Sequence, residues 1–383
     1  MTNINTSQSN PWKSNTNRAN EKAFASIRED GSVVAWGNAG FGGDLGSKAS
    51  LLDGSEGNKA VEIYEASRAF AALKEDGSVV TWGQSNFGGD SSSVADQLAG
   101  GDGNKVVQVA SAGSSFVALK EDGTAVGWGY EYDSNSYVIT TQNLDRDAGD
   151  SVGKVLSDSN LGIKKIFSNG HSYSALTSTG KVISWGSSNF NTQYGYSHNN
   201  GTSEYLQSGV VDIVSTGASF AALKDDGTVI AWGDEYGGRY KIYKKNWHKA
   251  PDQTEDLSDQ IGPGASEDLS PIVQIQANQG AYAALREDGS VVTWGTYNYG
   301  GNHKTDSDPS WNGETGAGNV AAPEGSLESG VSKLFSNSYS FAALKDDGTV
   351  VSWGRYTQTP DSDLLNDVKD VFSAGGSYAA IRS

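Results

Sequence analysis

Apolar residues in this chain come in short blocks, not at the three- and four-residue spacing of a helix face. One block reads Phe70-Ala71-Ala72-Leu73 and the next Val79-Val80-Thr81-Trp82, with the polar run Lys74-Glu75-Asp76-Gly77-Ser78 between them. Asp-Gly between two apolar blocks signals a tight hairpin. The expected connection is a type I′ turn, with positive φ at both central residues. Neither block alternates cleanly between apolar and polar, so each predicted strand must be covered on both faces. A further β-rich run, AVEIYEAS at 60–67, precedes the pair. Helical periodicity is weak throughout, and the pattern predicts an all-β chain.

The unit recurs. SIREDGSVVAWG (26–37), ALKEDGSVVTWG (72–83), ALKEDGTAVGWG (118–129), ALTSTGKVISWG (175–186), ALKDDGTVIAWG (222–233), ALREDGSVVTWG (284–295) and ALKDDGTVVSWG (343–354) align. They place Trp36, Trp82, Trp128, Trp185, Trp232, Trp294 and Trp353 at one repeat position, at successive spacings of 46, 46, 57, 47, 62 and 59 residues. A period of this size points to a propeller or a solenoid. Propeller blades are sandwiched between neighbours, which supplies the cover that two-faced apolar strands need. The expected architecture is a seven-bladed β-propeller over residues 23–383, preceded by a polar arm at 1–22 and interrupted by insertions at 130–162, 234–270 and 296–330. The upstream run and the Trp strand each occur seven times, the middle strand eight times, at 24–27 and again at 378–381. Ring closure is expected where the C-terminal VKDVFSAGGSYAAIRS completes the blade begun by SVVAWG, because joining the ends removes exposed edges. One middle strand is then surplus, and the sequence leaves open which copy closes the ring.

The phrase VVQVASAGSSFVALKEDGTAVGWG (106–129) resembles the repeat of the regulator of chromosome condensation family, and the resemblance covers about residues 23–383. It implies a seven-bladed propeller that works by binding through one face. Members of that family include a chromatin-bound nucleotide exchange factor, a plant ultraviolet receptor and a bacterial β-lactamase inhibitor. The first needs basic surfaces, and the second uses clustered tryptophans in a different blade motif, so neither role carries over. Arrays of this repeat in marine microbes and their viruses are closely similar, which implies display on a virus particle or cell surface in preference to the cytoplasm.

Charge narrows the partners. The 383 residues carry a formal net charge of −18 and no Cys. Such a chain repels phosphate backbones, so nucleic acid is excluded as a main partner. Without Cys there is no disulfide, thiolate zinc site or Cys nucleophile. No run of 18 apolar residues predicts a membrane span. The arm MTNINTSQSNPWKSNTNRAN lacks the apolar core of a secretory signal.

The seven repeated Trp residues read as blade packing, since a large aromatic at a fixed strand position is core. Trp12, Trp247 and Trp311 fall outside the repeat. The candidate binding residues are Arg239, Tyr240, Lys241, Tyr243, Lys244, Lys245, Trp247, His248 and Lys249, a basic and aromatic island in the longest insertion, together with Trp311. An inserted loop of this composition suits an acidic protein or an acidic glycan, whose sugar rings stack on aromatics. Its alternative reading is a solvated loop or an outer strand packed on a blade. Tyr130, Tyr132 and Tyr137, and Tyr297 and Tyr299, add Tyr-rich stretches to the two other insertions. Gly42-Gly43-Asp44 and Gly88-Gly89-Asp90 read as turns. GGDGNKVVQ (100–108) has Lys105 where a calcium ligand is needed, Asp306 and Asp308 lack the EF-hand glycine, and the four His show no metal spacing. No P-loop, GxSxG or HExxH occurs. No cofactor, metal or catalytic residue is assigned. The expected function is a non-enzymatic protein-binding or scaffold propeller. The alternatives are an acidic-glycan module, a polysaccharide lyase-like enzyme and an enzyme inhibitor. Oligomeric state is left open.

Overall fold

The computed structural model describes residues 17–129, 156–186, 205–233, 241–244, 252–256, 258–262, 268–296, 299–301, 319–320, 322–355, 366–374 and 376–382. Among them the chain builds eight sheets. It divides into two compact units, Lys13–Asn191 and Thr192–Ser383, with four sheets in each.

Each full repeat becomes one antiparallel sheet of a leading strand, a middle strand and a Trp strand. The second sheet is Ala60–Ala66, Ala69–Lys74 and Val79–Gly83, and the third is Val106–Ala112, Ser115–Lys120 and Ala125–Gly129. The fourth is Ile163–Ser168, Ser172–Thr177 and Val182–Gly186, and the fifth Val210–Ser215, Ser219–Lys224 and Val229–Gly233. The sixth contains Ile272–Ala277, Ala281–Arg286 and Val291–Thr296, and the seventh Val331–Ser336, Ser340–Lys345 and Val350–Arg355. Middle strands are covered on both faces, as their uninterrupted apolar pattern requires: all six residues of Ala69–Lys74 are buried. Where one sheet stacks on the next, each contributes half of a layer. Ala69, Ala71 and Leu73 of the second sheet meet Val109, Phe116, Ala118 and Trp128 of the third.

The two ends of the array differ from expectation. Val33–Gly37, the SVVAWG strand, pairs with Ala23–Ile27, and Asn17–Ala19 pairs with the other edge of Ala23–Ile27. Val368–Ala374 and Ser377–Arg382 form a two-stranded sheet of their own. The merger of the two ends into one blade is therefore not among the pairings of the described residues. Both middle strands keep a local partner, because a hairpin neighbour a few residues away costs little loop entropy to recruit. The Asp-Gly turn also differs. Gly77 is left-handed at φ +79, and Asp76 is not among the residues with positive φ. Gly77 N–H donates to Lys74 O, and Lys74 N–H to Ser78 O. The connection is thus three residues, Glu75-Asp76-Gly77, with only the last left-handed, where a type I′ turn would need two. The aspartate's own role is to accept the Ser78 N–H and hydroxyl at 2.9 and 2.7 Å.

Seven of the eight sheets carry a stacked ring pair. Phe70 and Trp82, from neighbouring strands of one sheet, lie 5.4 Å apart, and six further sheets repeat the arrangement down to Phe341–Trp353 at 5.5 Å. The turn that follows the Trp strand of the preceding sheet caps the pair. Gly42 lies against Phe70 and Trp82, and the Trp82 Nε1–H donates to its carbonyl at 3.0 Å. Gly88 caps Phe116–Trp128 and Gly300 caps Phe341–Trp353 in the same way. In the first sheet the pair Phe24–Trp36 is stacked but about half-exposed, at 47% and 50%.

Where a middle strand carries Tyr in place of Phe, the preceding sheet answers with Ser. Tyr173 bonds the Ser115 hydroxyl at 3.0 Å and donates to its carbonyl at 2.9 Å. Tyr282 meets Ser219 at 2.8 Å and Tyr378 meets Ser340 at 3.3 Å. Before Phe70, Phe116 and Phe341 the matching residue is Ala23, Ala69 or Ala281, which asks for no partner. Burial raises the pKa of all three Tyr hydroxyls above the ordinary value, so they stay protonated as donors.

Three outcomes follow. Gly42→Ala places a Cβ 2.8 Å from the Phe70 ring at φ +90; it should cost about 2 kcal/mol or more by urea denaturation. Gly46→Ala, with open space around it, should cost roughly half as much. Tyr173→Phe should cost about 1 kcal/mol, and adding Ser115→Ala should cost little more, since the pair then matches Ala69–Phe116. The turn carboxylates set the acid response. The Ser32 hydroxyl and N–H hold Asp30 below the usual carboxylate range, and Thr349 does the same for Asp347. A group whose folded pKa is depressed contributes stability that is complete above its unfolded pKa and is lost as pH falls through the folded one. Urea midpoints should therefore be flat above about pH 5 and fall below about pH 4, and Asp30→Asn with Asp347→Asn should shrink that fall.

Candidate partner-binding end of the sheets

The antiparallel order decides which residues share an end. A leading strand runs toward the turn that joins it to the middle strand, and the Trp strand runs in the same direction. Ala69 accordingly faces Gly83 in the register, and the Gln84 N–H donates to Arg68 O at 2.9 Å. Asn38 reaches Lys22 O, Thr296 reaches Gly280 O and Arg355 reaches Tyr339 O by the same bond. The opposite end of each sheet carries the Asp-Gly turn. One end is thus made of short, uniform, carboxylate-rich turns. The other carries the variable loops, where contact residues of rigid scaffolds concentrate.

At the loop end an Asn often ties the turn to the loop. Asn20 accepts the Lys22 and Ala23 N–H groups and donates to Phe41 O at 2.7 Å; Asn278 accepts from Gly280 and Ala281 and donates to Tyr299 O at 2.7 Å. The loop then presents its aromatic residue beside the next sheet's turn. Phe41 and Phe87 flank the Arg68 guanidinium, whose carbon lies 5.1 and 4.7 Å from the ring centroids. Lys22 Nζ lies 5.0 Å from the Phe41 centroid. Tyr299 stacks on Tyr339 at 6.2 Å in the corresponding place between the sixth and seventh sheets.

Six of the seven repeated Trp residues are buried between sheets, and Trp36 of the first sheet is half-exposed. Among the predicted binding residues, Arg239, Tyr240, Lys245, Trp247, His248, Lys249 and Trp311 lie outside the described residues. Lys241, Tyr243 and Lys244 belong to a short strand, Lys241–Lys244, that pairs parallel with the end of the sixth sheet's Trp strand, Ile242 beside Gly295 and Tyr243 beside Thr296. Asp252–Asp256 pairs with it on the outside. The island therefore begins at the loop end as an added edge strand. Sequence reasoning passed over Arg68, Lys22, Phe41 and Phe87. The legible signal was the Phe-Gly-Gly-Asp phrase, which occurs twice at the period of the repeat and was read as turn chemistry alone.

Among the described residues no group of three or more His, Asp or Glu is placed to hold a metal ion, and no helix is long and apolar enough to cross a membrane. No protein-family model and no curated protein matches the chain. Solved structures do match. The chain is similar to Prp20p of Saccharomyces cerevisiae, a structure described with its binding to Gsp1p and histones, at 18% identity over 86% of this chain and 78% of that one, with a TM-score of 0.45. It is similar to yeast RCC1 (Prp20) bound to Kap60, at 16% identity over 86% and 81%, with a TM-score of 0.44. It is also similar to the CRINKLY WD40 ectodomain of the Arabidopsis thaliana receptor kinase ACR4, at 14% identity over 87% and 90%, with a TM-score of 0.36.

Proposed function

We propose that this chain is a non-enzymatic, protein-binding propeller whose partner surface is the loop end of its sheets. The observation that carries the reading is where the variable segments lie within each unit. In Lys13–Asn191, residues 130–155 continue from the loop end of a sheet, the end that carries Lys22 and Arg68 in other sheets of that unit; in Thr192–Ser383, residues 234–240 and 302–318 continue from the loop end, which there carries Tyr299 and Tyr339. Sheets buried on both faces make a rigid base, and a rigid base lowers the ordering cost that loops otherwise add to binding. An acidic glycan is the second reading, favoured by the interleaving of Lys241, Lys244, Lys245 and Lys249 with Tyr243 and Trp247 along the sequence.

The test is affinity capture from the native source with the intact chain and with a Lys244→Ala, Lys245→Ala, Trp247→Ala variant. The expected result is selective loss of one captured protein at unchanged melting temperature. An identical set of captured proteins would remove the island from the binding surface.

A further inference from the structure

The guanidinium of Arg68 is held unlike that of any ordinary surface arginine. The rings of Phe41 and Phe87 both pack against it, their centroids 5.1 and 4.7 Å from its carbon. Its edge is nearly unspent: Nη1 reaches Gln84 Oε1 at 3.5 Å, the limit of a hydrogen bond, and the buried Nε has no hydrogen-bond partner. Glu21 stands 3.8 Å from Nε, too far to accept from it. Arg18 shows the contrast, since it donates to Ile63 O at 3.0 Å and pairs with Glu65 at 3.2 Å. The Arg68 side chain is still 38% exposed, and Lys22, exposed on the neighbouring turn, adds a second cation beside Phe41.

We propose that Arg68 and Lys22 form a carboxylate-binding anchor for an acidic segment of the protein partner, which rests on the loop-end reading above and names the partner's chemistry. The two rings fix the guanidinium plane, so little side-chain entropy remains to be lost when a ligand arrives. With two rings packed against it and its Nη edge little used, a ligand meets that edge, whose parallel N–H groups match the two oxygens of a carboxylate. Lys22 supplies a point charge for a second carboxylate along the same segment. The chain's net charge of −18 acts against an acidic partner at long range, but at physiological ionic strength exposed charges are screened beyond about 8 Å, and the local pair decides.

Calorimetric titration of the full chain with a hexaglutamate peptide at physiological ionic strength tests this, with hexalysine and an oligogalacturonate as the other arms. Hexaglutamate should bind and hexalysine should not. Arg68→Ala should weaken binding about tenfold or more, and Arg68→Lys, which keeps the charge and loses the fork, should weaken it severalfold. Lys22→Ala should have a smaller effect. Melting temperatures identify any variant that fails to fold, and Arg68→Lys and Lys22→Ala keep the question open to measurement if Arg68→Ala does fail. Absence of hexaglutamate binding, wild-type binding by Arg68→Lys and Lys22→Ala, or binding of oligogalacturonate alone would each overturn the proposal. Capture from the native source separates it from the wider reading. Loss of a partner by the loop variant but not by Arg68→Ala leaves the loop end standing and removes Arg68; loss by neither removes both.

Discussion

The structure depends on a stacked aromatic pair in seven sheets, whose indole N–H at Trp82, Trp128 and Trp353 is answered by a glycine carbonyl of the preceding turn. The stack buries two large side chains at once, and the indole would be left with an unpaired buried donor if the turn moved away. That couples the position of a loop to the register of the sheet behind it. Only a residue without a Cβ fits, since Gly42 and Gly88 are both left-handed and both pressed against a ring. Trp185, Trp232 and Trp294 are buried without a hydrogen-bond partner among the described residues, and each follows a loop that is itself outside them.

The same contact explains why function belongs at one end. Turns at the Asp-Gly end are short, most are closed by their own aspartate, and their glycine carbonyl takes the first N–H of the next sheet's leading strand, as Gly77 O does from Val106. At the other end the loop must first cap its neighbour and can then lengthen at little cost, since loop entropy grows slowly with length. The first two sheets keep the short form, and there the capping turns bring Phe41 and Phe87 against the Arg68 guanidinium. An aromatic held for packing thus also orients a cation.

Three buried Tyr hydroxyls are each answered by a Ser of the preceding sheet, which sets those junctions apart from the Ala–Phe ones at Phe70, Phe116 and Phe341. A Tyr hydroxyl buried over Ala would lack a partner. Ser115–Tyr173, Ser219–Tyr282 and Ser340–Tyr378 therefore favour their own neighbours over others of the same shape.

Much was legible in the chain alone. The apolar blocks, the 46-residue base period and the seven Trp positions determined sheets of three strands covered on both faces, because strand geometry and burial are local consequences of residue pattern. Even the Ser–Tyr pairing could have been read by comparing repeats. Tertiary structure alone decided the rest. Whether an Asp-Gly turn has one or two left-handed residues depends on the hydrogen bonds its flanks can make. Which strands pair at the two ends of the array depends on competition between near and distant partners, which no single strand encodes. The clustering of Lys22, Phe41, Arg68 and Phe87 comes from four separate turns of two sheets. Residues so far apart in sequence meet only because antiparallel strands return the chain to the same end.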